Sequence, residues 1–157
     1  MPIDSHALSL LVRGIHVAAM AVLVGGAALV FAVLTRETAD GDSADAAHPS
    51  RLAETYEMLF WVAIGLLVMT GIGNLAAFGP SLPSGASPWS QKLLAKLALV
   101  GLLVLASVPR SMLVATFAVS GSAVPALEAR AVLRVAYALT LGLGVAVLAL
   151  AMWLAHG

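Results

Sequence analysis

The sequence predicts an all-α integral membrane protein, a four-helix bundle in up-down-up-down order. Four long apolar segments, at about residues 8–34, 58–78, 93–109 and 135–155, are separated by short polar breaks. About 20 apolar helical residues cross a hydrocarbon core about 30 Å thick. Hydrophobic residues make up 61% of the chain, charged residues make up 10%, and the mean hydropathy is +1.02. We therefore expect one transmembrane domain over residues 1–157.

The composition also excludes several function classes. The formal net charge is zero, so no basic surface predicts a nucleic-acid partner. The chain has no cysteine, which excludes disulfides, thiolate metal sites and iron–sulfur clusters. We find no Gly-rich phosphate loop, nucleophile triad or metalloprotease motif, so no motif indicates an enzyme. The first apolar segment lacks a basic leader and is too long for a signal peptide, and we expect a retained helix.

The first two helices are bounded by polar or helix-breaking residues. The first begins near Ala7 and ends before Arg36. Residues 38–50 are small and acidic with Gly and Pro among them, which predicts a flexible loop. Residues 52–57 begin the second helix outside the apolar core, with Glu57 as part of a solvated helix start.

The second helix is expected to stop at residues 79–80, a Gly-Pro pair. Ser87 and Pro88 then predict the entry to the third helix, because serine caps a helix and proline suits its first turn. The third helix ends at Pro109 or passes it with a kink, since the sequence stays apolar to residue 119. Residues 128–134 form an amphipathic entry into the last helix.

Charged and aromatic residues predict the orientation in the membrane. The first and third connections carry Arg36, Arg51, Arg110, Arg130 and Arg134. The opposite side carries Arg13 and Lys92, so the positive-inside rule places both termini outside the cytoplasm. In this interpretation Arg110 and Arg134 are cytoplasmic anchors. Interface aromatics would be Trp89 and Trp153 on the outer side, and Trp61, Tyr56 and Tyr137 on the inner side.

His16 is the first candidate site residue, because a histidine inside a span is either a functional group or a partner in an interhelical hydrogen bond. Met20 follows at i+4 on the same helix face, and Met152 and His156 repeat this spacing at the end of the last helix. Imidazole and thioether together suit copper. A copper site from these four residues is one hypothesis, although the two pairs could differ in depth by about two helical turns (~11 Å).

Lys96 and Asn74 are the other polar candidates in the same half of the bundle. Lys96 lies one turn beyond Lys92 and either snorkels to the interface or points inward, where it needs an anionic partner such as a haem propionate. Asn74 is costly in lipid without a partner. The convergence of these residues with His16 is the strongest indication of a cofactor site in the sequence.

Short motifs resemble the copper-resistance D (CopD) family. Arg13, then His16 three residues later, then the Gly25–Gly26 pair are similar to that family's opening helix. Thr70-Gly71 and the stretch 93–100, which contains Lys96, look like its later signature, and Arg110 matches the basic residue that closes it. The resemblance implies a bacterial inner-membrane protein of copper uptake or homeostasis, with His16, Lys96 and Arg13 at the site and a periplasmic copper protein as partner. Distant four-helix relatives, the HemJ-type protoporphyrinogen oxidases, bind b-type haem through the first-span histidine.

Three functions remain open at the level of the sequence. The first is CopD-like copper handling with His16 and nearby methionines as ligands. The second is a small membrane cytochrome that holds b-type haem, with His16 as one axial ligand and Met152, His156 or Met69 as the other. The third is a cofactor-free anchor for other membrane subunits of a larger complex.

Overall fold

Four α-helices make up nearly all of the described chain, which contains no strand. The computed structural model describes residues 5–36, 47–76, 87–120 and 127–156, with side chains at 6–36, 51–75, 87–117 and 129–154. The helices are α1 (Ser5–Arg36), α2 (Ala47–Ala76), α3 (Pro88–Ser120) and α4 (Leu127–His156). Each contains a segment long and apolar enough to cross a membrane. The predicted all-α class is thereby confirmed, with four helices that could span a membrane.

The second helix differs most from its predicted bounds. It begins at Ala47, inside the stretch 38–50 that was expected to be a loop, so that expectation is wrong for residues 47–50. The helix gains an extra turn there because Ala47 favours helix and Pro49 falls in the first turn, where a proline is tolerated. Residues 38–46 and the predicted stop at 79–80 lie outside the described residues.

The third helix begins where the sequence predicts and continues past its internal proline. Ser87 caps it: the Ser90 backbone N–H donates to Ser87 Oγ at 3.2 Å, and the Gln91 N–H donates to the Ser87 carbonyl at the same distance. Pro88 occupies the first helical position. The helix then runs through Pro109 to Ser120, which settles the alternative left open by the sequence.

The helices are neighbours in a ring. α1 packs on α2 and α4, α3 packs on α4, and the contact between α2 and α3 is the least extensive of the four. Buried side chains recur every three or four residues on the inner face of each helix, as in α1 with Leu23, Ala27 and Val30. Most other large apolar side chains face outward, as expected of surfaces in contact with lipid.

Two polar clusters lie at different levels of this ring. We call them the histidine cluster (His16, Thr70 and Lys96) and the ion-pair cluster (Tyr56, Glu57, Arg110, Ser111, Tyr137 and Thr140). On α3, Lys96 and Arg110 are 14 residues apart, about 21 Å along the axis. Buried Leu103 lies midway between them on the same helical face. The halves of the bundle around these clusters are the histidine half and the ion-pair half.

Candidate functional site

The imidazole of His16 is fixed by a hydrogen bond to the neighbouring helix. Its Nδ1 lies 2.7 Å from Thr70 Oγ1 on α2. Thr70 uses its one hydroxyl hydrogen on the Leu66 carbonyl oxygen, 2.6 Å away. Since the hydroxyl can then only accept from the ring, Nδ1 carries the hydrogen and donates it to Thr70. The Nε2 atom of a neutral His16 therefore carries the unshared lone pair.

A histidine that donates one ring N–H to a neighbour can bind a metal through its other ring nitrogen. A ligating histidine usually donates its second ring N–H to a neighbouring acceptor, which fixes the tautomer and the ring direction. Thr70 is the acceptor of the His16 Nδ1–H. The interhelical hydrogen bond considered from the sequence is thus present, and it leaves the other nitrogen to serve a ligand.

Lys96 extends this cluster from a third helix. It lies on the same face of α3 as buried Leu103 and Arg110, because residues seven apart are nearly aligned on a helix. Its side chain is half-buried. Counted from the Glu57–Arg110 contact, Thr70 lies 13 residues along α2 and Lys96 lies 14 residues back along α3, so Lys96 reaches the level of the His16–Thr70 hydrogen bond. The cluster thus combines one open imidazole nitrogen with one ammonium group.

The remaining predicted site residues differ in how exposed their side chains are. Met20 is buried at 8% exposure one turn from His16, whereas Met152 is 65% exposed on the outer surface of α4. Asn74 is half-buried and Arg13 is exposed. The side chain of His156 lies outside those described. The structure therefore places Lys96 at the level of His16, buries Met20 and exposes Met152.

A second polar site, absent from the sequence-based candidates, lies around Arg110. The Arg110 side chain is fully buried, and its Nη2 donates to Glu57 Oε2 at 3.0 Å. Its Nε lies 2.8 Å from Glu57 Oε1, where it pairs by charge and makes no well-directed hydrogen bond. The Nη1 atom donates to Thr140 Oγ1 at 2.6 Å. These contacts join α3 to both α2 and α4.

The carboxylate of Glu57 is saturated by further donors. Tyr137 donates its hydroxyl to Oε1 at 2.8 Å, and Ser111 donates to Oε2 at 2.5 Å. The Trp61 indole N–H donates in turn to Ser111 Oγ at 3.1 Å. Two side-chain hydroxyls and the guanidinium of Arg110 thus engage both carboxylate oxygens. Glu57 has no lone pair positioned for an additional ligand, so its chemistry is that of a structural ion pair.

Three aromatic rings enclose the guanidinium of Arg110. Its Cζ lies 4.5 Å from the ring centre of Phe60, 4.8 Å from that of Tyr137 and 5.3 Å from that of Tyr56. Cation–π attraction of this kind strengthens where water is excluded. The Tyr56 hydroxyl also donates to the Leu23 carbonyl at 2.9 Å, which adds α1 to the cluster. All four helices are thus joined at this level.

Several interpretations from the sequence are wrong here. Arg110 is 2% exposed and is no cytoplasmic anchor, and Glu57 is 8% exposed and is no solvated helix start. Tyr56 and Tyr137 are buried and do not mark the membrane interface. The physical reason is common to all four: each faces the bundle interior, where its polar group finds a partner on another helix. One signal could have found Arg110, namely its spacing of seven residues from Leu103 and fourteen from Lys96, which places all three on one helical face.

Comparison with protein-family models, with curated proteins and with solved structures finds no match to this chain.

Proposed function

We propose that this protein binds b-type haem in the histidine half of the bundle, where His16 would hold the iron through Nε2. The single observation that carries the proposal is the His16–Thr70 hydrogen bond, because it orients the ring and leaves Nε2 open. The residues present fit the group: Thr70 orients the ligand, and Lys96 supplies a positive charge for a propionate. When bound, haem would supply one-electron redox chemistry.

The charge of Lys96 favours this cofactor over a bare metal ion. An ammonium group close to His16 repels a copper cation and attracts a carboxylate, and both effects strengthen away from water. A haem offers such carboxylates. Of the second axial ligands considered from the sequence, Met69 and Met152 are 73% and 65% exposed on outer surfaces. His16 is therefore the residue that would hold the iron, and the proposal depends on it.

Copper is the second candidate, and the position of Met20 favours it. This methionine is buried one turn from His16 on the same helix, so imidazole and thioether together could hold a reduced copper ion. The resemblance to the CopD family also supports copper handling. Within the described residues no group of three His, Cys, Asp or Glu could hold a metal ion, so a copper partner protein would have to complete the ligand set.

The proposed setting is a bacterial inner membrane, with both termini in the periplasm. Opposed pairings such as His16 with Thr70 and Leu23 with Tyr56 support the up-down-up-down order. The charge asymmetry persists without Arg110: one side carries Arg36, Arg51, Arg130 and Arg134, and the other carries Arg13 and Lys92. This orientation places His16 in the periplasmic half.

Reporter fusions at the two termini test the orientation. An enzyme reporter active only in the periplasm should give signal at both ends, and one active only in the cytoplasm should give none. A cytoplasmic signal from the C-terminal fusion would reverse the orientation and move His16 to the cytoplasmic side.

The test of the cofactor is the haem and copper content per purified protein, measured by the Soret band and by metal analysis. We expect wild type grown with added haem precursor to carry haem, and His16→Ala to lose it. His48→Ala is the control, because His48 lies at the start of α2, 22 residues before Thr70 on the same helix. Full retention of haem by His16→Ala would place the site elsewhere.

Lys96 separates haem from copper because the two cofactors respond in opposite directions. Lys96→Met should lower haem content by removing the partner of a carboxylate, but should keep or raise copper content by removing a repulsive charge. Lys92→Met is the matched control, since the Lys92 ammonium instead lies 4.6 Å from the Trp153 ring centre. If wild type carries neither cofactor after supplementation with both, the cofactor-free anchor becomes the function to pursue.

A further inference from the structure

Basic residues outnumber carboxylates in the histidine half of the bundle. Its Lys and Arg residues are Arg13, Lys92 and Lys96. Seven of the eight Asp and Glu residues lie at positions 37–57 and 128, within or beside the ion-pair half, and Asp4 is the exception. The connection at residues 77–86, between α2 and α3, contains no ionisable side chain. The excess of positive charge at this end of the protein therefore follows from the sequence itself.

One of these cations lies on an exposed aromatic ring. The Lys92 Nζ is 4.6 Å from the ring centre of Trp153 on α4. The indole is also open to the surroundings, since Trp153 is 62% exposed. Tryptophan and lysine near the end of a span place an amphipathic ring and a charge at the level of the lipid headgroups. One lipid molecule can therefore meet the ammonium and the indole together.

Arg13 supplies a second cation at the same level. Val24 on α1 meets Gly144 on α4, where an added Cβ would lie 3.0 Å from the Val24 side chain. Trp153 lies nine residues beyond Gly144, about 14 Å along α4, and Arg13 lies eleven residues before Val24, about 17 Å along α1. Both paths lead into the histidine half, so Arg13 and Trp153 differ in level by less than one helical turn.

Arg13 also lies on the side of α1 that faces α4. Eleven residues make three helical turns and about 20°, so Arg13 and Val24 share one face. The Arg13 side chain is exposed. Since α4 packs on both α1 and α3, the exposed ring of Trp153 has Arg13 on one neighbouring helix and Lys92 on the other.

Two cations on either side of an indole ring suit the headgroup of an anionic phospholipid. A guanidinium can bind two phosphate oxygens at once, and an ammonium binds phosphate as a point charge. Basic groups between membrane helices recognise lipid headgroups in this way. The bilayer supplies such a ligand directly beside Trp153.

We propose that Lys92 and Arg13 bind the phosphate of an anionic phospholipid in the leaflet around the histidine half, with the lipid glycerol against Trp153. A lipid bound here joins α1 to α3 across the end of α4. The site lies on the outer surface of the bundle and is independent of any cofactor at His16.

Quenching of Trp153 fluorescence by brominated lipids tests the proposal. Trp61→Phe with Trp89→Phe leaves Trp153 as the sole tryptophan. The protein is placed in nanodiscs of phosphatidylcholine, whose own ammonium offsets its phosphate. We expect brominated phosphatidylglycerol to bind beside Trp153 about 25-fold more tightly than brominated phosphatidylcholine, or about fivefold for each cation. Lys92→Met and Arg13→Gln should each reduce the preference to about fivefold.

Arg36→Gln is the matched control, because Arg36 is an exposed arginine at the other end of α1. It removes the same charge but should leave the lipid preference at Trp153 unchanged. A loss equal to that of Arg13→Gln would show an effect of net charge alone and would overturn the site. Replacing chloride with inorganic phosphate at equal ionic strength should not reduce quenching. Displacement of the lipid by phosphate would assign the site to the free anion and overturn the proposal.

Native mass spectrometry tests the same site with all three tryptophans in place, and decides the question if the double Phe variant does not fold. Wild type should retain one more phosphatidylglycerol than Lys92→Met or Arg13→Gln. Equal lipid counts in the three proteins overturn the proposal.

Haem content separates this proposal from the haem assignment. Lys92→Met should lose lipid preference and keep haem, whereas His16→Ala should lose haem and keep the lipid preference. Failure of wild type to bind haem would thus leave the lipid site standing, and failure to prefer phosphatidylglycerol would leave the haem proposal standing.

Discussion

The histidine cluster and the ion-pair cluster place charged or polar groups in the same apolar bundle but satisfy them differently. Glu57 is contacted by Arg110, Tyr137 and Ser111, so its carboxylate is fully engaged within the protein. His16 has one partner for one of its two ring nitrogens. Burying polar groups in lipid is costly in both cases. In the proposed function, the first cluster stabilises the bundle and the second receives a ligand.

The largest expected effect comes from breaking the ion pair. Arg110→Met leaves the Glu57 carboxylate buried without its guanidinium, and removal of one partner from a buried pair typically costs about 3–5 kcal/mol. We expect a loss of unfolding free energy of this size in a detergent or SDS titration of the purified protein. His16→Ala should change the same quantity by less than about 1 kcal/mol, since interhelical hydrogen bonds in membranes average about 0.6 kcal/mol.

A double variant shows whether the charge itself is responsible. Glu57→Gln combined with Arg110→Met removes both charges, so it should be more stable than Arg110→Met alone. The effects of Glu57→Gln and of Arg110→Met on the unfolding free energy are each measured alone. If these two effects simply add in the double variant, Glu57 and Arg110 are not energetically coupled, and the contrast between the clusters is not supported.

The second prediction uses two adjacent glycines on α1. A methyl group at Gly26 would overlap the Tyr56 ring, whereas one at Gly25 would meet no atom within 4 Å. Gly26→Ala should therefore lower the unfolding free energy by about 1–3 kcal/mol, as overpacking usually does. Gly25→Ala should have little effect or stabilise slightly, because alanine favours helix. Equal effects of the two substitutions would show that Tyr56 does not depend on close approach to α1.

The smallest expected change in stability concerns the histidine cluster and tests its separate role. Thr70→Val removes the acceptor for His16 Nδ1 at constant shape, so the unfolding free energy should fall by only about 0.6 kcal/mol. Haem affinity should nevertheless fall about 10–100-fold, as expected when a group that orients a metal ligand is lost. Thr70→Ser, which keeps the hydroxyl, should restore binding. A Thr70→Val protein with unchanged affinity would show that the hydrogen bond does not position His16.

The sequence predicts the helices of this protein well because the bilayer imposes a simple rule on them. Length and apolar composition are sufficient to recognise four spans, and the cap at Ser87 and Pro88 follows from local chemistry. The ends are harder to predict, since a helix can continue into polar sequence. α2 continues upstream of its apolar segment to Ala47 for that reason.

The ion-pair cluster could not be predicted because it depends on which direction a side chain faces. Glu57 and Arg110 each lie one residue outside a predicted apolar segment, where a charge is ordinarily solvated. The helices extend beyond both residues, so their levels fall within the bundle. His16 was recognisable because it lies well inside an apolar run, but its pairing with Thr70 joins residues 54 apart in the chain.

Arg110 also bears on how the protein enters the membrane during synthesis. α3 carries Lys92, Lys96 and Arg110, and a basic residue at the centre of a span disfavours insertion by about 2.5–3.5 kcal/mol. α2 leaves the ribosome first and brings Glu57, the partner that offsets the charge of Arg110. Tyr137 and Thr140 follow only with α4. Integration of α3 into the membrane thus depends on α2, which is already made. The remaining partners of Arg110 arrive only when α4 is made.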